Sequence, residues 1–381
     1  MGDRKKILIL FEGNHLAYSP AVAQLHETLK PFADITILAP DPGVFSKNTD
    51  LPYQVEVYRY PTGLIRGFYK LWHKLLLLTD KKAKLVNELF PNNYEEYFFL
   101  FGKLKKFVES GRFDLVICID LKNLFFVNAV LQQRCFFLSL ELCFYEKALK
   151  YINTNLIDCV IIQSPIRYQY LFKEKEQKVF YIQNAPVFDE SVIKKERKGL
   201  IYSGTAWKPF GFEYCLDYLL ENPDEQLTVQ GQIKDDTLKN NGQYSELVAK
   251  GRLVINENYI PDADLVTLLA DFEIGFCFYN FDVEWVNNFN YQSAPAGKLF
   301  KYLAAGVPVI CNKIVGFDFV DEFGCGVQIE NCDPHSISSA VNRIRSHYDD
   351  YEAGAKNAAG HFSYDKAVAP FLEYTKTKLN S

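Results

Sequence analysis

The stretch SAPAGKLFKYLAAGVPVICN, residues 293–312, contains in order a loop, a helix, a glycine stop and a strand. The helical part repeats apolar residues such as Leu299 at the spacing of one buried face. Gly306 ends this helix because glycine takes a positive φ at little cost, and residues 307–310 have the β-branched composition of a buried parallel strand. A loop that leads into a helix N-terminus is suited to bind an anion, and Lys298 adds a formal charge in the first turn.

The pattern P-x-x-K-L-F-x-Y-L-A-A-G-x-P-V-I, from Pro295 to Ile310, resembles the donor-site helix of GT-B glycosyltransferases, most closely glycosyltransferase family 4 and its relatives. The resemblance extends, more weakly, over nearly the whole chain. It implies two Rossmann-like domains that face each other across a cleft, with the second domain holding the nucleotide. Family members usually carry two glutamates eight positions apart in this stretch, the later one holding the ribose hydroxyls. This chain has Ser293 and Lys301 there.

The length and composition are those of a two-domain globular protein. The chain has 381 residues, of which 48% are hydrophobic and 23% charged, and its net charge is −5. Single cores stop growing at roughly 250 to 300 residues, so two domains are expected, and the net negative charge argues against nucleic acid as the main partner. The apolar run at 7–11 is too short for a signal sequence, so we predict a cytoplasmic protein, with peripheral contact at the inner face of the membrane left open.

Apolar runs alternate with helical patterns in two successive series. Strands are predicted at 7–11, 35–38, 55–60, 114–119, 135–138, 159–162 and 179–182, and then at 200–203, 227–230, 253–255, 274–278, 307–311 and 327–329. This alternation predicts the α/β class, with mostly parallel sheets covered by helices on both faces. We expect residues 1–187 to form an acceptor-binding domain, joined by a C-terminal helix at 364–381, and residues 188–363 to form the nucleotide-sugar-binding domain.

Ligands of open α/β sheets bind beyond the carboxyl ends of the strands, so the loops that follow strands hold the candidate residues. In the second half, Gly204, Thr205 and Lys208 follow one strand and resemble the G-R-x-x-x-K-G loop that binds the donor diphosphate. Thr205 stands where arginine is usual. Lys208 and Lys298 converging on a diphosphate would stabilise the leaving group without a metal. For Lys208 the alternative is a lysine in solvent.

Two further loops complete the candidate donor site. Ile260 lies in a segment that resembles the loop whose backbone recognises the nucleotide base, and Tyr279 ends the strand IGFCF, where it should face the cleft. The remaining members of the set come from the opening stretch: Ser293, Gly297, Lys298, Leu299 and Lys301. For Lys301 two outcomes are open, because lysine donates hydrogen bonds and accepts none: it contacts an anionic part of the ligand, or it lies in solvent.

The candidate catalytic residues lie in the first half. Gly13 and His15 follow the first strand in a loop that resembles the G-x-H loops of GT-B enzymes, where an inverting enzyme places its base; the pKa of histidine, about 6.5, suits that work. Asp120 ends a buried strand, and Glu141 lies where relatives carry a histidine–glutamate pair, whose histidine is replaced by Leu140. The alternatives are a helix cap for Asp120 and a positioning or exposed role for His15.

These patterns predict a glycosyltransferase that moves a sugar from a nucleotide-sugar donor to a glycan, lipid-linked or other acceptor, in polysaccharide or glycoconjugate biosynthesis. The resemblance implies retention of anomeric configuration, while His15 keeps inversion open. We expect no metal, and no cofactor besides the nucleotide-sugar co-substrate. Two alternatives stand beside this one: a nucleotide-sugar epimerase, and a catalytically silent GT-B subunit, which Ser293 and Lys301 favour.

Residues 65–84 mix basic, aromatic and leucine side chains. This composition is typical of an amphipathic helix that rests on an anionic bilayer. A helix that packs on its own domain with its lysines in water has the same composition, and the sequence favours this interpretation while leaving the membrane contact open.

Overall fold

The computed structural model describes residues 4–12, 16, 19–40, 55–59, 62–89, 104–109, 113–142, 146–173, 175–193, 196–234 and 242–380. The chain divides into two compact units. The first unit comprises Met1–Tyr181 together with Ala369–Ser381, and the second comprises Ile182–Val368.

The first unit is built on a seven-stranded parallel sheet in the order β3-β2-β1-β4-β5-β6-β7. Its strands are β1 (Lys5–Leu10), β2 (Ala33–Pro40), β3 (Val55–Tyr58), β4 (Leu115–Ile119), β5 (Cys135–Leu138), β6 (Ile157–Ile162) and β7 (Val179–Tyr181). Its helices are α1 (Pro20–Leu29), α2 (Gly63–Thr79), α3 (Lys81–Leu89), a helical segment at 104–109, α4 (Asp120–Leu124), a π-helix (Phe125–Val130), 3-10 helices (Glu146–Tyr151, Thr154–Leu156) and α5 (Pro165–Phe172). The strand order reverses between β1 and β4, which makes the carboxyl ends of these two strands the expected binding edge.

The second unit has a six-stranded parallel sheet in the order β10-β9-β8-β11-β12-β13. Its strands are β8 (Leu200–Ser203), β9 (Leu227–Gln230), β10 (Leu253–Asn256), β11 (Ile274–Cys277), β12 (Val309–Asn312) and β13 (Gly326–Ile329). Its helices are α6 (Phe212–Glu221), α7 (Gly242–Ala249), α8 (Asp262–Leu269), α9 (Phe289–Ser293), α10 (Gly297–Ala304), α11 (Phe319–Glu322), α12 (Pro334–Ser346) and α13 (Tyr348–Phe362), with 3-10 helices at Glu190–Val192, Lys208–Phe210 and Val315–Phe317. Here the strand order reverses between β8 and β11.

Every strand predicted from an apolar run overlaps an observed strand, and the predicted fold class of two Rossmann-like domains is confirmed. The central strands are continuous apolar runs because both of their faces are covered, as in LVICI of β4. Residues 65–84, for which the composition indicates an amphipathic helix, lie in two helices, α2 and α3, because the backbone of Asp80 between them is extended. Helix α13 was not predicted from the sequence.

The last helix, α14 (Tyr364–Asn380), contributes its residues from Ala369 onward to the first unit. There the Phe371 ring lies 6.0 Å from that of Phe136 and 5.6 Å from that of Phe180. The hydroxyl of Tyr374 donates to the carbonyl of Asp158 at 2.8 Å. These aromatic contacts fix the end of the chain on β5, β6 and β7. None of the helices described is long and apolar enough to cross a membrane.

Candidate functional site

Helix α10, the helix of the opening stretch, is fixed on the second sheet by Tyr302. The Tyr302 hydroxyl accepts a hydrogen bond from the Ser203 N–H at 2.6 Å and donates to the Phe276 carbonyl at 3.3 Å. Its ring lies directly over Gly275, where an added Cβ would come within 2.7 Å of the ring atoms. The side chain thus bonds to both strands at the switch point, β8 and β11. This sets the rotation of α10 about its axis.

Lys298 lies one turn before Tyr302 and therefore on the same face of α10. Its Nζ is 4.2 Å from the centre of the Tyr202 ring, a cation–π contact. Burial lowers the pKa of the Lys298 ammonium, and the neighbouring Cys277 and Cys215 thiols oppose that shift. Within the part of the chain that the structure describes, Lys298 makes no salt bridge with a carboxylate. A half-buried cation without an acid partner, at a helix N-terminus, is arranged to receive an anionic ligand.

The start of α10 also meets the segment that opens the second unit. A Cβ on Gly297 would lie 3.2 Å from Nδ2 of Asn184, so the absence of a side chain at 297 allows this close approach. The Asn184 amide therefore stands beside the first turn of α10. A helix leaves its first N–H groups without intrahelical acceptors, and an amide donor next to them adds to an anion site.

The loop after β8 holds Gly204, Thr205 and Lys208, in the order the sequence predicts. Gly204 has φ +109, and the space where its Cβ would lie is open. A Cβ on Gly231 after β9 would meet the Gly204 carbonyl oxygen at 2.0 Å, so these two loops touch through glycine backbone. The Thr205 carbonyl accepts from the Tyr202 hydroxyl at 3.1 Å, and Lys208 is exposed at the start of a 3-10 turn.

A carboxylate that sequence analysis missed lies close to this loop. Glu213, in the first turn of α6, accepts a 2.6 Å hydrogen bond from Nδ2 of Asn280, which follows β11. Burial raises the pKa of Glu213, while its hydrogen bonds and the charge of Lys208 oppose the shift. The only sequence signal was an acid one turn into the helix that follows a glycine loop. The structure thus places the Glu213 carboxyl close enough to interact with both the Asn280 amide and the Lys208 ammonium.

The backbone after β11 is held by a second amide, Asn312 at the end of β12. The Tyr279 N–H donates to Asn312 Oδ1 at 2.6 Å, and Asn312 Nδ2 donates back to the Tyr279 carbonyl at 3.1 Å. The Tyr279 ring is buried and stacks on Phe317 at 5.9 Å. The Tyr279 side chain therefore packs inside the unit and supports the wall of the candidate site.

An aromatic cluster extends from Tyr279 toward the solvent. It comprises Trp207, Phe210, Tyr279, Trp285 and Tyr291, with neighbouring ring centres between 5.4 and 6.4 Å apart. Trp285 is 43% exposed, so one large ring of the cluster is open to a ligand. Aromatic faces of this kind stack on sugars and on nucleobases.

The other predicted residues of the second unit have the following places. The Ser293 side chain is fully buried and donates to the Phe289 carbonyl at 2.6 Å, within α9. Leu299 is fully buried in the core, and its N–H donates to the Ala296 carbonyl. Ile260 packs at the edge of the same core, and Lys301 is half-buried on α10. Contacts of these four with a ligand stay predictions.

In the first unit Asp120 joins the ends of β4 and β5. Its Oδ1 accepts hydrogen bonds from the N–H groups of Leu140 at 2.7 Å and Glu141 at 2.9 Å. Its backbone has φ +61, a left-handed conformation that aspartate tolerates better than most residues. Burial raises the pKa of Asp120 well above its ordinary value and the charge of Glu12 adds to the shift, while the two backbone hydrogen bonds oppose it.

Three acids therefore gather at the switch point of the first sheet: Glu12 after β1, Asp120 at the end of β4, and Glu141 after β5. Glu12 was not among the predicted catalytic residues, although its place after the first strand was a sufficient signal. Gly13 and His15, the other predicted residues of this edge, lie outside the described residues.

No cluster of three or more histidine, cysteine, aspartate or glutamate side chains suited to a metal occurs in the described ranges. The second unit has a cavity of about 830 Å³ lined by Asp321, Arg343, His347 and Asp350, among others. It lies where β13 begins, whereas the candidate residues follow the ends of strands. The cavity and the candidate donor site are therefore separate.

The fold of this chain is similar to that of several solved structures. No family model and no curated protein matches the chain. Among solved structures, HepE of Anabaena in complex with UDP has 15% identity and a TM-score of 0.65, over 98% of this chain and 100% of HepE. A second HepE structure contains UDP-glucose.

Two further structures have the same architecture. Sucrose-phosphate synthase of Thermosynechococcus elongatus has 15% identity and a TM-score of 0.59, over 99% of this chain and 100% of that one. WaaG, a glycosyltransferase involved in lipopolysaccharide biosynthesis, has 12% identity and a TM-score of 0.58, over 97% of this chain and 98% of that one. The chain therefore has the GT-B glycosyltransferase fold, and the resemblance stated from the sequence is confirmed at the level of the fold.

Proposed function

We propose that this protein is a glycosyltransferase that moves a sugar from a nucleotide-sugar donor to a glycan, lipid-linked or other acceptor, in polysaccharide or glycoconjugate biosynthesis. One observation carries the proposal. Lys298 is a half-buried cation without a carboxylate partner among the described residues, at the N-terminus of α10 and beside the carboxyl end of β8. The fold supports it, because HepE, which shares this fold, is known with UDP and with UDP-glucose.

In this proposal the second unit binds the donor. The diphosphate lies against the first turn of α10, where Lys298 and the helix dipole act on the same anion. Lys208, exposed in the loop after β8, supplies a second positive charge as the leaving group develops. Two lysines and a helix terminus do the electrostatic work that a metal does elsewhere, so we propose a metal-independent transfer. Trp285 stacks on the base or the sugar.

The first unit binds the acceptor in the same proposal. Asp120 and Glu141 lie at its switch point, and burial raises the pKa of Asp120 and so favours the protonated form of its carboxyl. A protonated carboxyl both donates and accepts hydrogen bonds, which suits the hydroxyls of a sugar acceptor. We propose retention of the anomeric configuration. Transfer with inversion, and with His15 as the base, is the outcome that would replace it.

The proposed location is the cytoplasm, with the first unit at the inner face of the membrane. Donor nucleotide-sugars would reach the second unit from solution, and the acceptor would be presented to the first unit.

The test is a donor panel. Purified protein is titrated calorimetrically with the diphosphates UDP, GDP and dTDP and with CMP, and is then incubated with the corresponding nucleotide-sugars. We expect one base to bind preferentially, and its sugar donor to be hydrolysed slowly to free sugar and nucleotide. The anomer first released, followed by NMR, decides between retention and inversion.

The same panel separates the alternatives. Conversion of one nucleotide-sugar into its epimer, without release of nucleotide, would identify an epimerase. Tight nucleotide binding with neither reaction, in the presence of broad saccharide and lipid-linked acceptors, would favour a silent subunit. Absence of binding to every nucleotide at millimolar concentration would contradict both the transferase and the epimerase.

A further inference from the structure

Helix α2 of the first unit carries an apolar stripe on its outer face. The large apolar side chains in this helix that are more than half exposed are Leu64, Ile65, Phe68, Leu71, Trp72, Leu75 and Leu78, with exposures between 51% and 95%. Their spacing of three and four residues places them on one face over the whole length of the helix. We define these seven residues as the outer stripe.

The helix packs on its unit through a different face. His73 is buried, and Tyr69, Leu76 and Leu77 are partly buried. These four positions, spaced by four, three and one, lie opposite the outer stripe. The apolar character of α2 is thus more than packing on the first unit requires, because a helix that only packs inward keeps its outer face polar. A continuous apolar stripe on a surface marks a site of interaction.

The sequence of α2 and of the start of α3 is predominantly basic. Residues 63–84 contain six lysines and arginines and a single aspartate, in a chain whose net charge is −5. Arg66, Lys70 and Lys74 follow one another at four-residue spacing, so they form a ridge along one side of the stripe. Lys70 and Lys74 are exposed. The three basic residues of α2 therefore run beside the exposed apolar residues.

We propose that α2 docks on an anionic lipid bilayer, with its axis in the plane of the surface and the outer stripe inserted at the boundary between headgroups and acyl chains. Leucine, phenylalanine and tryptophan on one face and lysine and arginine beside it are the composition that binds at this boundary. The phosphate groups of anionic lipids complement the basic ridge. The 17 residues of α2 include three basic ones and, like the other described helices, do not meet the requirements for a span, so the helix lies on the surface.

This inference does not depend on the proposed transferase activity, because vesicle binding is measured without donor or acceptor. The full-length protein is sedimented with vesicles of phosphatidylcholine alone and of phosphatidylcholine mixed with phosphatidylglycerol. We expect binding to the mixed vesicles at least tenfold tighter than to the neutral ones. Brominated lipids in the mixed vesicles should quench the fluorescence of Trp72, and the Trp72→Phe protein should lose that quenching.

Matched variants separate the apolar and the electrostatic contributions. Phe68→Ser with Trp72→Ser should weaken binding to the mixed vesicles at least tenfold, whereas Val248→Ser with Val254→Ser, at exposed positions of the second unit, should not change it. Lys70→Gln with Lys74→Gln should weaken it about tenfold. Lys147→Gln with Lys150→Gln, which removes two exposed lysines elsewhere in the first unit, should leave it as in the wild type.

Two results would overturn the proposal. One is a wild-type protein that stays off both kinds of vesicle, or whose binding is indifferent to Phe68→Ser with Trp72→Ser. The other is a soluble dimer that this double substitution converts to a monomer, which would assign the outer stripe to a second copy of the chain.

Discussion

The two sheets present opposite charges at equivalent edges. In the first unit the switch point between β1 and β4 gathers the carboxyls of Glu12, Asp120 and Glu141. In the second unit the switch point between β8 and β11 is faced by the ammonium of Lys298. The topology at the two places is the same, a reversal of strand order in a parallel sheet. In a fold of this kind the topology determines the edge at which a ligand is expected, and the side chains at the strand ends determine which charge that edge presents.

Burial acts in opposite directions on the two edges. It raises the pKa of Asp120 and lowers the pKa of Lys298, because in both cases it disfavours the charged form. A phosphate bound at α10 would favour the charged form of Lys298 and so oppose the lowering of its pKa. A hydroxylic acceptor, as proposed for the first unit, is neutral and does not require a charged Asp120. This difference in the favoured charge is the physical reason for assigning the donor to the second unit and the acceptor to the first.

The largest expected effect is on the acidic edge. Asp120→Ala removes the acceptor of two backbone N–H groups and places alanine at φ +61, so the first unit should lose about 2 to 5 kcal/mol in its free energy of unfolding. Asp120→Asn keeps a side-chain oxygen acceptor and tolerates the left-handed backbone, and should lose much less. Urea denaturation of both variants checks this. Equal losses would mean that the two hydrogen bonds do not stabilise the unit.

The same pair of proteins tests the raised pKa. An unfolded chain releases the Asp120 proton near pH 3.9, whereas the folded protein keeps it to a higher pH, so the unfolded state binds fewer protons in between. The contribution of Asp120 to stability should therefore fall as pH rises from about 4 through its folded pKa. The unfolding free energy of wild type minus that of Asp120→Asn, measured at several pH values, should decrease over that range. A difference that stays flat or rises would show that the folded pKa is not raised.

The cationic edge is tested by Lys298→Met, which keeps a long apolar stem over the Tyr202 ring and removes the charge. Loss of a charged hydrogen bond to the donor phosphate should weaken nucleotide binding by about 1.5 to 3 kcal/mol, or roughly 10- to 150-fold. Calorimetry with the preferred nucleoside diphosphate measures it. Lys250→Met, an exposed lysine of the same unit, is the control and should bind as wild type does. Unchanged affinity in Lys298→Met would remove the phosphate from α10.

A substitution at Gly275 tests how the cationic edge of the second sheet is held in place. In Gly275→Ala the new Cβ would come within 2.7 Å of the Tyr302 ring, so either the ring or the strand must shift, at about 1 to 3 kcal/mol of stability. Displacement of Tyr302 should also move Lys298 and weaken nucleotide binding. Gly242→Ala, where a Cβ meets nothing within 4 Å, serves as the control and should unfold at the wild-type denaturant concentration. A Gly275→Ala protein of wild-type stability and affinity would show that Tyr302 does not position α10.

Much of the fold was predictable because it depends on local patterns. Buried parallel strands are short apolar runs, and the glycine stop at Gly306 marks the end of α10, where the structure has φ +69. The contacts that build the site were not predictable, since each joins distant positions. Tyr302 bonds to Ser203, and Glu213 bonds to Asn280; neither residue carries a local signal of its partner.

The direction in which a side chain points could not be predicted from the sequence either. Tyr279 and Leu299 follow the right elements, yet their side chains point into aromatic and hydrophobic packing. The composition of residues 65–84 indicated an amphipathic helix, but periodicity cannot say that apolar residues lie on both its faces. The roles of Thr205, Ile260 and Lys208 stay predictions, because backbone recognition and exposed charges leave no packing signature.

The smallest expected effect concerns Lys301, which lies three residues after Lys298 on α10 and is half-buried. Three residues along a helix place the two ammonium groups on adjoining faces, so Lys301 adds to the positive potential that a donor phosphate meets. We expect Lys301→Glu to weaken nucleotide binding two- to fivefold, and Lys301→Met to weaken it less, because the acid also repels the phosphate. Calorimetry on both proteins measures the difference. If Lys301→Glu instead tightens binding, the new carboxylate is accepting the ribose hydroxyls as the family glutamate does, and Lys301 in the wild type faces solvent. A Lys301→Glu protein that fails to fold would contradict both outcomes and assign Lys301 to the packing of the second unit.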